Sequence, residues 1–145
     1  MRRIPASLVL GLALAVSGCN SFAYVSKNYV SLTPQVVSIG CNEPYEVYDN
    51  RQRRRMLVVS NDLRELAGCG IGDRFAGGDP AASRATRFRA AARAYLDETV
   101  REECRITGET VFTDLQTEFA YSCATPIEPR GTKVPRLPGR TRAGA

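Results

Sequence analysis

The stretch from Cys104 to Cys123 constrains the fold more than any other part of this chain. A tight turn at Thr113 and Asp114 folds its two halves into an antiparallel hairpin. The cross-strand partners are then Phe112 with Leu115, Thr110 with Thr117, Gly108 with Phe119, Ile106 with Tyr121 and Cys104 with Cys123. Side chains alternate along a strand, so all ten point to one face. The opposite face receives Arg105, Thr107, Glu109, Gln116, Glu118 and Ser122, which are polar. A one-residue slip would exchange the two faces. One register therefore gathers the aromatic residues and sets two sulfurs opposite each other. Thr113-Asp114 is not the Asn-Gly pair that a two-residue turn prefers, which leaves a longer or bulged connection open.

The compartment is written at the other end. Arg2 and Arg3 precede an apolar run from Leu8 to Val16, and small residues follow at Ser17 and Gly18. A basic head, a short apolar core and a small-residue cleavage site make a secretory signal. The run is about nine residues long against the roughly twenty that span a bilayer, which argues against an uncleaved anchor helix. The segment Val16-Ser17-Gly18-Cys19 resembles the lipobox of bacterial lipoproteins. The resemblance implies cleavage before Cys19, a thioether-linked diacylglycerol on its sulfur and an N-acyl lipid (palmitate or similar) on its new amino terminus. One acyl chain binds a membrane only marginally, but several hold it durably, since each buried methylene contributes about 0.8 kcal/mol. The second mature residue is Asn20 rather than the Asp of the inner-membrane retention rule. The resemblance therefore implies an outer-membrane anchor facing the periplasm, with the inner membrane as the alternative.

An exported chain keeps its cysteines oxidised. Beyond Cys19 four remain, Cys41, Cys69, Cys104 and Cys123. An even number implies two disulfides, and four cysteines allow three pairings. The hairpin favours Cys104 with Cys123, and elimination then pairs Cys41 with Cys69. No Cys-x-x-Cys pair and no His occur, so a zinc site is not expected.

Four segments follow from this: a signal over 1–18, a lipidated spacer over 19–40, a domain over 41–124 and a tail over 125–145. Val36 to Ile39 supply a short edge strand at the end of the spacer. Tyr45 to Tyr48 and Met56 to Val59 form a second hairpin through Asp49 and Asn50, and Arg51, Arg53, Arg54 and Arg55 lie near its turn. Asn61 to Leu66 read as a helical turn, with Asp62 and Glu65 at capping-box spacing, and the glycines up to Gly78 as an irregular loop. A long helix is expected from about Pro80 to Glu103, with Asp79 as N-cap. Phe88, Ala91, Ala92, Tyr95, Thr99 and Val100 form its apolar stripe. Its charges oppose the macrodipole: Arg84, Arg87, Arg89 and Arg93 lie early, while Asp97, Glu98, Glu102 and Glu103 lie late. Arg93 and Asp97 stand at i,i+4 and offset part of this. The expected architecture is α+β, a small disulfide-stapled antiparallel sheet covered by one amphipathic helix.

The tail carries five basic residues, Arg130, Lys133, Arg136, Arg140 and Arg142, against Glu128 alone. It is rich in Pro and Gly and poor in apolar residues, so it is expected to be disordered. Cys19 to Ala124 hold thirteen basic and fourteen acidic residues, so the basic character belongs to the tail and signal.

These features disfavour catalysis. Without His the usual general base is missing, and paired cysteines are not nucleophiles. Glu43 with Glu46, or Glu102 with Glu103, are better explained as solvated surface charges than as acid/base pairs. No catalytic, cofactor-binding or metal residue is expected. The expected role is a non-catalytic structural or interaction module anchored to the membrane through Cys19, with an envelope protein as possible partner. One alternative is a binder of an anionic envelope polymer through Arg51 to Arg55 and the basic tail. Another is an accessory subunit of a secretion or envelope-assembly complex. Nucleic acid is not an expected partner in that compartment. The segments Tyr45-Glu46-Val47-Tyr48-Asp49 and Cys104-Arg105-Ile106-Thr107 resemble parts of small uncharacterised lipoproteins of proteobacteria, a likeness that implies no activity.

Overall fold

A computed structural model describes residues 21–40, 43–60 and 80–137. The signal, Cys19, the helical turn after Asn61, the cysteines at 41 and 69 and the last eight residues lie outside them. The expected Cys41–Cys69 bridge therefore falls outside the described residues. The chain divides into two compact units, Met1–Ser31 and Leu32–Ala145. In the first, residues 21–29 form helix α1, and Asn28 Nδ2 donates to the Tyr24 carbonyl at 2.7 Å.

The second unit is α+β. Five strands run β1 (Gln35–Ile39), β2 (Glu43–Asn50), β3 (Arg55–Ser60), β4 (Arg105–Thr113) and β5 (Gln116–Ser122). They form one sheet in the order β1-β2-β3-β5-β4, and every neighbouring pair is antiparallel. The edge strand expected at Val36 to Ile39 is β1. It starts the folded unit within the segment expected to be a spacer, ahead of Cys41. The segment Pro44 to Tyr48 is not an edge, because it lies in β2 between β1 and β3.

Alternation along β2 turns Glu43, Tyr45 and Val47 into the interior. Helix α2 (Pro80–Glu98) packs across this face. Phe88, Ala91, Ala92, Tyr95 and Leu96 close the core over Val37, Tyr45, Val47, Met56, Val58 and Phe119. The Tyr45 and Phe88 rings meet edge to face at 5.3 Å between centroids.

The helix stops at Glu98, five residues before the end that periodicity suggests. Val100 adopts a left-handed φ of 59°. The Arg101 N–H reaches back to the Leu96 carbonyl at 2.8 Å, and the Val100 N–H to that of Asp97 at 3.3 Å. This is a Schellman closure, which usually employs Gly at the left-handed position. A β-branched residue there is strained, and the sequence carries no glycine to announce the stop. Val100 is consequently exposed rather than part of the apolar stripe, whereas Thr99 is buried and donates to the Tyr95 carbonyl at 2.8 Å.

The arginines at the start of α2 do not simply face an adverse dipole. Arg84 pairs with Asp114 at 3.1 Å, Arg87 with Glu43 at 3.5 Å and Arg89 with Glu109 at 2.5 Å, so the acids of the sheet and its turn compensate them. The expected Arg93–Asp97 pair is present at 2.6 Å. Glu43 is therefore a buried ion-pair partner and not a solvated charge.

The hairpin keeps the expected register only at its base. Arg105 faces Ser122 and Ile106 faces Tyr121, and Cys104 and Cys123 are bonded. A bulge between Ile106 and Gly108 then shifts the pairing by one residue, so Glu109 opposes Phe119 and Thr110 opposes Glu118. A second irregularity between Val111 and Thr113 shifts it again. Such bulges bend an edge strand and blunt it against pairing with other chains. Val111 is exposed on β4. Glu118, assigned to the polar face by alternation alone, is buried and paired with Arg55 at 2.8 Å.

Candidate functional site

Among the described residues of the second unit, the most highly organised polar site is centred on Asp49, at the end of β2. Strand alternation places Asp49 on the same face as Tyr45 and Val47, so its carboxylate points under α2. Tyr121 on β5 donates its hydroxyl to Oδ1 at 2.8 Å, and Tyr95 on α2 donates to Oδ2 at 3.0 Å. Arg101 donates to the same Oδ2 at 2.8 Å. The side chains of Arg101 and Asp49 are only 9% and 4% exposed, so this is a buried ion pair. The early stop of α2 makes it possible: the left-handed turn at Val100 redirects the chain and sends Arg101 inward.

Burial pushes the Asp49 carboxyl above its ordinary value, against the opposing pull of Tyr121, Arg101 and Tyr95. The Tyr95 and Tyr121 hydroxyls are raised by burial and by the adjacent Asp49 charge, so both remain donors. The Arg101 guanidinium, although opposed by burial, is raised by Asp49. Every donor around Asp49 therefore matches a carboxylate acceptor.

A second carboxylate closes the site from outside. Glu128 takes Arg101 Nη2 on both oxygens, at 3.1 and 3.2 Å, and Arg51 Nη1 at 2.6 Å. Residues 125–137 were expected to belong to a disordered tail, but they lie along the domain as an arm without regular secondary structure. Arg54 fixes its start, donating to the Cys123 carbonyl at 3.0 Å and the Thr125 carbonyl at 2.5 Å. Gln52 donates to the Glu128 carbonyl at 2.8 Å, and Arg51 to that of Thr132 at 2.8 Å. At the far end Arg136 donates to the Val36 carbonyl, and the Leu137 N–H to the Glu98 carbonyl at 2.8 Å. Arg51, Arg54 and Arg101 line a shallow cleft of about 20 Å³ beside Glu128, room for a water molecule.

The arginine-rich turn is thus largely turned onto its own chain. Arg51 and Arg54 hold the arm and Arg55 holds Glu118. The left-handed backbone of Arg54, at φ 50°, is what turns β2 back into β3. The sequence offers little sign of this engagement, because the partners are single acids and bare carbonyls roughly seventy residues away.

Burial works to raise Glu128, but Arg101 and Arg51 overcome this and hold it below its ordinary value. A carboxyl with a lowered folded pKa contributes stability that is present above its unfolded value and lost as pH falls through the folded one. Acidification below the usual glutamate range is therefore expected to loosen the arm. Glu128→Gln is expected to loosen it at neutral pH, at a cost of about 1 kcal/mol, since the pair is partly exposed. Hydrogen exchange at the Leu137 and Thr132 amides checks both effects. A lower protection factor in acid, referred to the intrinsic rate at each pH, that Glu128→Gln reproduces at pH 7 is the expected result; an unchanged protection factor would show that the backbone bonds alone hold the arm.

Among the described residues, one group of metal-type ligand atoms comes together: Glu103 with the sulfurs of Cys104 and Cys123. Those sulfurs are joined, with a Cα–Cα distance of 4.1 Å, so they offer no thiolate. Glu103 instead accepts from the Thr125 hydroxyl at 3.2 Å. Glu43 and Glu46 lie on opposite faces of β2, and Glu46 accepts from the Tyr48 hydroxyl at 3.0 Å. No described helix is long and apolar enough to cross a membrane. No protein-family model, no curated protein and no solved structure matches this chain.

Proposed function

We propose that this chain is a lipid-anchored protein of the bacterial envelope, held through Cys19 at the periplasmic face of the outer membrane, whose second unit is a non-catalytic structural or interaction module. The Cys104–Cys123 bridge is the observation that carries the reading. Disulfides persist in oxidising compartments such as the periplasm, where the secretory signal and lipobox would deliver the chain. The non-catalytic role draws support from the polar centre. Both oxygens of Asp49 are engaged by internal donors, an arrangement that stabilises a fold. Binding of an anionic polymer through Arg51 to Arg55 draws less support, because Arg51, Arg54 and Arg55 are already engaged within the chain.

Changing Cys19 to Ser tests the anchor. The expected result is that the native chain fractionates with the membrane and carries the added acyl mass. The variant is expected to lose that mass and to fractionate as soluble or uncleaved precursor. Native protein recovered without acyl mass would overturn the proposal.

A further inference from the structure

The exposed face of α1 carries large apolar side chains. Phe22 and Val30 are 77% and 78% exposed, more than any other large apolar side chain among the described residues. At roughly 100° per residue, Phe22, Ser26, Val30, Ala23 and Lys27 fall within one continuous arc of about 140°. Phe22, Ala23, Lys27 and Val30 are all exposed, while Asn28 on the opposite side and Tyr29 at the edge of the arc beside Phe22 are buried. The Val30 N–H still bonds to the Ser26 carbonyl at 3.3 Å, so the arc extends through the last turn. The outward face of the helix therefore carries an aromatic and an aliphatic residue beside one lysine.

We propose that this face lies in the membrane interface, its apolar residues among the acyl chains and Lys27 at the headgroups. This inference rests on the lipid anchor at Cys19. Phe22 is three residues beyond Cys19, and three residues span about 10 Å even when fully extended. An acylated Cys19 thus keeps Phe22 within the depth of the headgroup region, and an exposed phenylalanine there is buried most easily in lipid. Interfacial helices sit with their apolar face about 5–10 Å into that boundary, a depth that suits this tether. Lys27 can lay its methylenes along the apolar surface and reach anionic phosphates. The helix thereby supplies a second membrane contact beside the lipids.

The chain contains no tryptophan, so Phe22→Trp creates a single fluorescent reporter. The mature protein carrying it is reconstituted into vesicles of phosphatidylethanolamine and phosphatidylglycerol, after its mass has been measured. A blue-shifted emission, strong quenching by brominated acyl chains and a several-fold loss of acrylamide quenching are expected. Val30→Trp gives the same readout should the first variant fold poorly. Acylated chains in which both reporters emit as in water and remain open to acrylamide overturn the inference and leave the anchor standing. A chain without acyl mass overturns both. Shielding in native membranes but not in lipid vesicles also overturns the inference, since a protein would then cover the face.

Discussion

Replacing Asp49 with alanine is expected to destabilise the second unit by about 3–5 kcal/mol, the usual cost of stranding one partner of a buried ion pair. Three donors lose their acceptor together: the Arg101 guanidinium and the hydroxyls of Tyr95 and Tyr121. Arg101 is the costly one, because a charge in this environment has only Glu128 left to balance it. Typical domains are stable by about 5–15 kcal/mol, so the loss takes much of the total. Asp49→Asn keeps the shape but removes the charge, and is expected to lose a smaller share. Asp49→Leu with Arg101→Met removes both charges and is expected to recover part of the loss, since apolar replacement of a buried pair is often close to neutral. Denaturant unfolding of the four proteins measures this. Equal stability of Asp49→Ala and the native chain would show that the carboxylate is solvated and that the network does not hold the fold.

Removal of the Cys104–Cys123 bridge is expected to have an effect of similar size. Its closed loop spans 19 residues, and cross-linking a loop of that length contributes about 3 kcal/mol on the entropic account. The position adds to this. Cys104 leads into the edge strand β4, and its carbonyl accepts from Arg93 at 2.5 Å; Cys123 follows β5, and its carbonyl accepts from Arg54 where the arm starts. Reduction frees an edge strand and the root of the arm together. In a unit of this size each kcal/mol shifts Tm by about 4–8 °C, so a fall on the order of 10 °C or more is expected for Cys104→Ala with Cys123→Ala. Thermal melts with and without reductant check it. A melt indifferent to reductant would show that packing of α2 on the sheet suffices.

Most of the secondary structure was legible because it is local. Alternation marked β4 and β5, a second hairpin pattern marked β2 and β3, apolar spacing marked α2, and the Val36 to Ile39 run marked β1. The register of the terminal hairpin was legible only at its base, where the bridge pins it. The bulge beyond Ile106 trades ideal pairing for a bent edge, and no residue in the pattern signals it. The end of α2 was misplaced for a comparable reason: a left-handed valine is offset by the ion pair that Arg101 makes once it has turned inward, and propensity does not register that compensation.

The tail shows the same limit more sharply. Its composition argues for disorder, since prolines, glycines and charges cannot bury enough apolar surface to offset ordering. Residues 125–137 are held instead by arginine hydrogen bonds to their carbonyls and by one glutamate clasped between Arg51 and Arg101. The sequence by itself determined the α+β class, the pairing of Cys104 with Cys123 and the amphipathic stripe of α2, because each follows from a short-range period. Only the tertiary structure decided that Asp49, Tyr95, Arg101, Tyr121 and Glu128 form one network. They come from separate parts of the sheet, from the helix and its C-terminal turn, and from the arm, and burial couples charges that in the linear chain look like ordinary surface residues.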